Sequence, residues 1–265
     1  MEKLTGSKET RTSQVLANGL RLLSTIAKAN GEFSVREIGR MLDLSPTVTH
    51  RLVATLQEHH YLEKNLETGK YVIGLESFRV GKSYSDAFSL EGVAKPVLYA
   101  AAHENSVNCF LGRRKGTSIV YLHDFSGAKR SSIRIASGTE VPLDATSMGI
   151  AILAQLDPKS LEDYQSRAIA EGLRDQKDFD AKFEQSLEFA RTHGYAMVRS
   201  EIFPGVNAVG ATVGLPGRLH DSAISFSAQT SSPDLGSIEL LGAKVIETSA
   251  ILSQQLQAAK RISSA

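Results

Sequence analysis

The stretch LSPTVTHRLVATLQEHHYLEK, Leu44 to Lys64, predicts a helix that begins at Pro46 and has an unusual outer surface. Ser45 is a natural N-cap, and proline suits the first helical position because the amide that it lacks would find no partner there. The predicted helix runs from residue 46 to about residue 59. Almost no residue opposite its apolar stripe carries a formal charge, whereas a helix surrounded only by water usually presents Lys and Glu.

The helical period divides the side chains of this helix between two faces. With Val48 at the centre of the buried side, a rotation of about 100° per residue turns Leu52, Thr55 and Leu56 inward. The opposite face then consists of small or uncharged side chains: Pro46, Thr47, His50, Ala54 and Gln57. Because such side chains allow a helix to approach base edges closely, this face is typical of a helix that reads DNA.

The neighbouring segments complete a winged helix-turn-helix. Residues 13–29 predict a helix with a broad apolar face of Val15, Leu16, Leu20, Leu22, Leu23 and Ile26. In FSVREIGRMLD, Ser34 and Glu37 form a capping box that starts a second helix over residues 35–43. After the third helix, residues 61–64 and 70–73 are the arms of a predicted β-hairpin. Three short helices followed by a two-stranded wing define this DNA-binding module.

On this interpretation, Thr49 and Arg51 flank the reading face and suit phosphates or a base at the edge of the groove. Ser45 and the wing lysines, Lys64 and Lys70, complete the predicted DNA contacts. One such module binds weakly, so specific binding needs two copies on neighbouring half-sites. The same three-helix pattern also occurs in modules that bind protein, and the helical pattern alone leaves that alternative open.

The composition bounds the remaining possibilities. With 265 residues, 42% of them apolar, and a net charge of +1, the chain predicts one large or two ordinary globular domains without a general affinity for nucleic acid. Its single cysteine, Cys109, excludes an internal disulfide and every multi-cysteine metal site, and it fits a reducing cytoplasm. We expect a disordered lead over residues 1–12, no signal peptide, no membrane span, no cofactor and a place in the bacterial cytoplasm, at the nucleoid when DNA is bound.

Beyond the wing domain of residues 13–75, the pattern predicts a linker helix over residues 76–90 and a second domain over residues 91–265. Strand-like segments in that domain are VNCFLGRR, SIVYLHDF, SSIRIAS, YAMVRSEI, VNAVGATVG and SAISFSAQ. Helical segments are TSMGIAILAQLD, DFDAKFEQSLEFARTHG and the C-terminal SIELLGAKVIETSAILSQQLQAA. Sequential strands with helices grouped between them favour a mainly antiparallel sheet flanked by helices, so the fold class is α+β.

One strand of this domain carries hydroxyl groups on alternate residues. In SAISFSAQ, the period of two separates Ile224 and Phe226 from Ala223, Ser225, Ser227 and Gln229. The two serine hydroxyls either line a cavity and donate to a carboxylate or face solvent on an open sheet. Thr146 or Ser147 likewise either only caps the following helix or helps its first amides, near Met148 and Gly149, to face an anion.

The chain resembles the IclR family of bacterial transcription regulators, from about Ser13 to the last helix. In the N-terminal part the resemblance rests on GLRLLSTIA, EIGRMLDLSPTVTHRLVATLQEHHYLEK and TGKYVIGLESFRVG. In the C-terminal part it rests on SGTEVPLDATSMGIAILAQL, HGYAMVRSEIFPGVNAVGA and AISFSA. The family implies a winged helix-turn-helix, a linker helix and a GAF-like effector domain, assembled as homodimers or dimers of dimers on operator DNA.

The resemblance also implies a small organic acid as effector, often sensed for a catabolic operon. Serines at the positions of Ser225 and Ser227 bind such acids in the family, and its hydrophobic wall matches Ile133, Val141 and Val206. The predicted effector site therefore comprises Ile133, Val141, Thr146, Ser147, Met148, Gly149, Val206, Ala208, Ser225 and Ser227.

This sequence departs from the family pattern at several positions. Proline occupies position 46, where the family more often has a basic residue, so its operator sequence is not expected to be the usual one. Val198 and Ala208 match family positions that are often an acidic residue and a cysteine, and Asp144 and Ile150 also depart from the pattern. A more apolar pocket favours an acid larger than glyoxylate, plausibly an aromatic one.

An enzyme is the alternative from a different class: a GAF-like catalyst fused to a protein-binding winged helix. Cys109 lies between apolar residues of a strand and is expected to be a buried hydrophobe rather than a nucleophile. The histidines lack metal-ligand spacing, and no phosphate loop or nucleophile elbow occurs. The basic cluster Arg113–Lys115 is most often a solvated hairpin tip, with contact to DNA or a second subunit as the alternative.

Overall fold

The computed structural model describes residues 12–88, 90–127, 133–199, 204–215, 218–229 and 238–263. The chain divides into two compact units, one ending at Tyr84 and one starting at Ser85, which places the division inside the predicted linker helix. The predicted disordered lead, residues 1–12, lies outside the described residues apart from Thr12.

The first unit has the predicted elements in the predicted order. Helices α1 (Gln14–Ala29), α2 (Val35–Leu42) and α3 (Pro46–Glu58) precede an antiparallel hairpin of β1 (Leu62–Lys64) and β2 (Tyr71–Ile73). The capping box is confirmed: the Ser34 amide donates to Glu37 Oε2 over 2.7 Å, and the Glu37 amide donates to Ser34 Oγ over 3.3 Å. The bond that its carboxylate accepts from the Ser34 amide lowers the pKa of Glu37. The N-cap at Ser45 is also confirmed, because its hydroxyl accepts from the Val48 amide.

The predicted apolar face of α1 is only half buried. Leu22 and Ile26 belong to the core of the first unit. Val15, Leu16 and Leu20 are 71%, 62% and 55% exposed. The broad stripe therefore splits into a buried row and a separate exposed row, which sequence periodicity alone does not distinguish.

The predicted orientation of α3 is wrong for three residues. Val48, placed at the centre of the buried side, and Thr55, placed inward, are both exposed. Thr49, placed on the flank of the DNA-reading face, is fully buried, and its hydroxyl donates to the Ser45 carbonyl over 2.9 Å. The buried row of α3 is Thr49, Leu52 and Val53. A threonine that satisfies its own hydroxyl within the helix can replace an apolar residue in a core, and the polarity pattern therefore misassigned it.

The second unit surrounds a six-stranded antiparallel sheet. Helix α4 (Leu75–Ala87) leads into this unit, and a π-helical turn (Leu90–Ala94) and α5 (Lys95–Glu104) follow. The strands are β3 (Asn108–Lys115), β4 (Ser118–Ser126), β5 (Glu140–Pro142), β6 (Ala196–Arg199), β7 (Val206–Leu215) and β8 (Arg218–Gln229), in the order β5-β4-β3-β8-β7-β6. The remaining helices are α6 (Ser147–Ala154), α7 (Pro158–Ala170), α8 (Ala181–His193) and α9 (Ile238–Ser263).

Helices cover both faces of this sheet. Residues of α5 and α9 pack on one face with Ile224 and Phe226 of β8, and residues of α6, α7 and α8 pack on the other with Ala223. The predicted alternation of β8 is confirmed. The solvated-face alternative is wrong for Ser225 and Ser227, which are only 3% and 6% exposed.

Two elements were missed and one predicted strand is wrong. Residues 133–136 of SSIRIAS have no regular secondary structure, while residues 131 and 132 lie outside the described part of the chain. The missed elements are β5 and α7. Helix α7 begins with the same signal as α3, a capping residue followed by proline, because Asp157 accepts from the Ser160 amide and Pro158 follows it. Recognising that repeated signal would have found the helix.

The basic cluster at the β3–β4 hairpin is not simply a solvated tip. Arg113 is 8% exposed, its guanidinium donates to Asp221 Oδ2 over 2.9 Å, and it lies 4.5 Å from the centre of the Phe88 ring. Lys115 forms an ion pair with Glu140. Arg113 thus joins β3 and β8 to the segment that follows α4.

We predict that Asp221→Ala destabilises the second unit by about 3 kcal/mol, because it leaves the buried Arg113 cation without its carboxylate. Calorimetric unfolding of the full chain should show the transition of this unit at lower temperature. Lys115→Ala is the matched control: its ion pair is largely exposed on the lysine side and should contribute less than about 1 kcal/mol. If the two substitutions lower the melting temperature equally, the buried Arg113–Asp221 pair does not have the proposed stabilising role.

Candidate functional site

The exposed face of α3 presents the residues predicted to lie there. Pro46, Thr47, His50, Ala54 and Gln57 are all exposed, and so is Arg51. Arg51 has no ion pair with any residue that the structure describes. Its guanidinium is available for phosphate or base contacts. Thr49 is removed from the predicted DNA contacts because its side chain is buried in the core.

The two wing lysines differ in their surroundings. Lys64 lies over the Tyr71 ring at 5.9 Å from its centre, so its stem is supported while its ammonium stays exposed. Lys70 is half-buried and lies 3.7 Å from Glu37 Oε1. Glu37 partly neutralises Lys70, so Lys64 is the more available cation of the wing.

A cavity opens in the second unit between the sheet and the N-terminus of α6. It contains about 440 Å³ of empty space, counted out to its open side. Seven of the predicted effector residues line it, and the full lining is Phe110, Tyr121, Ile133, Ile135, Ala145, Thr146, Ser147, Val198, Val206, Ala208, Ser225 and Ser227. The antiparallel sheet brings these residues together from seven separate stretches of the sequence.

The two serines of β8 form the polar floor of the cavity. Ser225 lies between Gly210 on β7 and Phe110 on β3, and Ser227 is paired with Ala208 on β7. Both residues are buried, and neither hydroxyl has a hydrogen-bond partner among the described residues. The two oxygens are not among the fully buried side-chain atoms without a partner, so they are open to the cavity and can bond to a ligand or to water there.

The first turn of α6 lies directly against this floor. A Cβ on Gly210 would lie 2.6 Å from the carbonyl carbon of Ser147 and 2.7 Å from the Met148 nitrogen, so only glycine permits this approach. Thr146 is a true N-cap: its hydroxyl accepts from the Gly149 amide over 2.9 Å. That bond occupies the Gly149 amide and leaves the amides of Ser147 and Met148 without a partner in the helix, and of these two residues Ser147 lines the cavity.

Three predicted effector residues do not line the cavity. Met148 is buried in the core beneath the α6 turn, Val141 packs against the same core, and the Gly149 amide is held by Thr146. Conversely, the predicted set lacks four lining residues that the sequence analysis did not connect with the pocket, Phe110, Tyr121, Ile135 and Ala145. It also omits Val198, which the resemblance had matched to a ligand position and which does line the cavity. Strand periodicity would have placed Phe110 on the same face as its neighbours on β8, but only the strand order shows that β3 is paired with β8.

The electrostatics of the cavity are set by burial rather than by charge. None of the lining residues carries a formal charge. Burial raises the pKa of the Tyr121 phenol to about 12, so the phenol is neutral near pH 7. Asp144 lies outside the lining, where its carboxylate accepts from Arg174 Nε over 2.7 Å. An anion in the cavity would be held by hydroxyls and backbone amides alone.

Other predicted features can be placed as well. Cys109 is buried, and burial raises the pKa of its thiol, which fits the predicted hydrophobe. Among the described residues, no three His, Cys, Asp or Glu side chains are grouped to hold a metal ion. No helix in the described part of the chain is long and apolar enough to cross a membrane.

Comparison with protein families covers most of the chain. The IclR helix-turn-helix domain matches residues 15–66, and the bacterial transcriptional regulator IclR C-terminal domain matches residues 82–254. The transcriptional repressor IclR of Escherichia coli K12 is 25% identical over 245 residues, which cover 88% of this chain and 86% of that protein. The regulator BhcR of Paracoccus denitrificans is 26% identical over 209 residues, which cover 78% and 75% of the two chains.

Solved structures have the same fold. An IclR family regulator from Brucella abortus aligns with a TM-score of 0.76 at 20% identity, over 94% of both chains. An IclR homologue from Microbacterium hydrocarbonoxydans, crystallised with 4-hydroxybenzoate, aligns with a TM-score of 0.77 at 19% identity, over 92% of this chain and all of that one.

The family resemblance and the α+β architecture are confirmed by these matches. The enzyme alternative is not supported, because the matching families are transcriptional regulators. The chain belongs to the IclR family and is a DNA-binding transcriptional regulator.

Proposed function

We propose that this regulator reads operator DNA as a homodimer through α3 and that a small organic monocarboxylate, bound in the cavity of the second unit, changes its affinity for that DNA. The observation that carries the effector part is the pair of hydroxyls of Ser225 and Ser227, which are open to the cavity beside the α6 N-terminus and have no partner among the described residues. Small-molecule sites are typically apolar cavities with a few convergent polar groups, and this cavity has that composition.

The DNA contacts that we propose follow from exposure. Pro46, Thr47 and His50 lie on the outward face of α3, where they reach base edges in the major groove. Arg51 supplies a phosphate or guanine contact, and Ser45 and Lys64 contact the backbone beside it, with Lys70 in a weaker role. The Pro46 side chain has no charge and no hydrogen-bonding group. The residues that follow it must therefore make the contacts that distinguish one base from another.

A homodimer is supported by the exposed row on α1. Leu16 and Leu20 are one helical turn apart, and Val15 extends the same apolar patch. A second copy of the chain is the occupant that we propose, because self-complementary contact across a two-fold axis matches two DNA half-sites. Assembly of two dimers on one operator is compatible with this arrangement.

The effector that we propose carries a single negative charge and a bulky apolar part. Hydroxyls and two helix amides can hold one carboxylate, but no cationic side chain lines the cavity to offset a second one. Val198, Val206 and Ala208 make much of the remaining wall apolar, which favours an aromatic or branched acid over glyoxylate. The homologue from M. hydrocarbonoxydans was crystallised with 4-hydroxybenzoate, a ligand of this chemical type.

Communication between effector and DNA requires that the ligand prefer one arrangement of the subunits, typically by about 1 to 3 kcal/mol. We propose α4 as the connection, because it is the covalent path from the second unit to the first. The stack of Arg113 on Phe88, directly after α4, ties the end of this helix to the central strands β3 and β8. A shift of these strands on ligand binding would therefore reach α4.

For the DNA surface, we expect Arg51→Ala to weaken operator binding by about 1 to 3 kcal/mol through the lost contact, without lowering the melting temperature. Fluorescence anisotropy at fixed salt concentration measures the change. Arg167→Ala, which removes an exposed arginine from α7, is the charge-matched control and should bind DNA normally. If the Arg51 variant binds as tightly as this control, the residue does not belong to the interface.

For the homodimer, Leu16→Glu should shift the protein toward the monomer and reduce operator affinity, because it buries a charge in the proposed interface. Sedimentation velocity reports the mass of each species. Leu66→Glu is the control, since Leu66 is 94% exposed at the tip of the wing and lies outside the patch. A Leu16→Glu protein that sediments like the wild type would rule out α1 as the contact.

For the effector, we expect the double substitution Ser225→Ala and Ser227→Ala to abolish most of the response of DNA binding to the acid. Operator affinity without effector should stay nearly unchanged. Isothermal titration with benzoate, a branched acid and glyoxylate should rank glyoxylate last on the wild-type protein.

The matched control is Ser249→Ala, which removes a buried serine of α9 whose hydroxyl already donates to the Ile246 carbonyl. This variant should keep its effector response. A normal response of the double alanine protein would place the effector elsewhere, and strongest binding of glyoxylate would refute the apolar description of the cavity.

A further inference from the structure

The cavity contains a second polar group that the serine floor does not use. Tyr121 lines the cavity, is 5% exposed, and has no hydrogen-bond partner for its hydroxyl among the described residues. Its oxygen is not among the fully buried side-chain atoms without a partner, so it is open to the cavity. A tyrosine hydroxyl usually has a partner when it is buried, so a ligand that covers this one would have to supply that partner.

A β-bulge gives Tyr121 its orientation. Leu111 is paired with His123 and Gly112 with Tyr121, so Leu122 is the extra residue of β4. As a result, Leu122 and Phe125 both pack on the α5 and α9 side of the sheet, while Tyr121 packs on the cavity side. Bulges beside functional sites commonly redirect a side chain in this way.

Tyr121 and the serines lie on opposite sides of an aromatic wall. Strand β4 is two positions from β8 in the sheet, with β3 between them, which separates their backbones by roughly 10 Å. Phe110 of β3 occupies the intervening strand and meets the Tyr121 ring edge to face, with ring centres 5.5 Å apart. The cavity thus has a polar group at each end and an aromatic side chain between them.

The two ends differ in chemistry. The serine end offers several donors, including the amides of α6, and suits a carboxylate. At the Tyr121 end, burial keeps the phenol protonated, so it can donate to an uncharged oxygen or accept from a hydroxyl. The segment preceding β5 contributes Ile133 and Ile135 to the cavity lining, and these side chains add no polar group. A ligand that satisfies both ends needs one polar group at each end of a flat apolar body.

We propose that Tyr121 is a specificity-determining residue, which selects aromatic monocarboxylates bearing a hydroxyl across the ring from the carboxylate. This inference rests on the proposed effector function and adds the residue that reads the far substituent. An acid without that hydroxyl leaves Tyr121 buried and unpaired, which is the condition under which a polar site discriminates strongly.

The test is a comparison of ligands and variants on the full-length protein by isothermal titration. The probes are benzoate, 3-hydroxybenzoate and 4-hydroxybenzoate. We expect the wild type to bind 4-hydroxybenzoate about 10-fold or more tightly than benzoate and 3-hydroxybenzoate; a preference for the 3-isomer would contradict the proposal. In Tyr121→Phe, which removes only the hydroxyl, this preference should fall to about one while benzoate affinity stays the same or improves.

Two controls separate the possible failures. Ser225→Ala with Ser227→Ala should weaken benzoate and hydroxybenzoate alike, because it acts at the carboxylate end. Melting of Tyr121→Phe without ligand reports any structural role. If benzoates bind the wild type but Tyr121→Phe keeps the full preference, the role of Tyr121 is refuted while the effector function stands. If none of the three acids binds the wild type, the Tyr121 proposal fails, and the effector function stands only if the branched acid binds.

Discussion

The contact of the α6 N-terminus with strand β7 is the constraint on which the second unit depends. A Cβ on Gly210 would overlap the first turn of α6, and a Cβ on Gly149 would lie 1.9 Å from the Leu143 carbonyl oxygen. Glycine at position 210 lets the helix end lie directly on the sheet, and glycine at position 149 lets the preceding turn pack against the helix. The approach at Gly210 brings Ser147 to the floor formed by Ser225 and Ser227, in a cavity without any charged lining residue.

The orientation of α3 in the first unit depends on which of its residues are buried in the core. Thr49 satisfies its hydroxyl within α3 and takes the place of an apolar side chain. Burying Thr49 turns the helix so that His50 and Arg51 face outward. The outer face of α3 therefore carries little charge because it is a surface free for contact with DNA. Such a surface is expected of an IclR family regulator.

The two units are joined by one helix, and the structure gives each end of it a defined attachment. At its start, the Leu75 amide donates to Glu63 of the wing over 2.9 Å. After its end, Phe88 stacks on Arg113, which is paired with Asp221 on the central strands. The segment directly after α4 is thus attached to the central strands β3 and β8 by packing and ion pairing, and a bulge on β4 presents Tyr121 to the cavity beside them.

The sequence by itself determined the elements whose signals are local. Ser34 with Glu37 and Ser45 with Pro46 act on their own helices, and both signals were identified correctly. The alternation of β8 was also determined, since it needs only the period of two. Tertiary structure alone decided which side of α3 is buried, that residues 133–136 form no strand, and that Phe110 and Tyr121 line the cavity. These outcomes depend on strand order, on a bulge and on packing between distant segments, so no local pattern in the sequence encodes them.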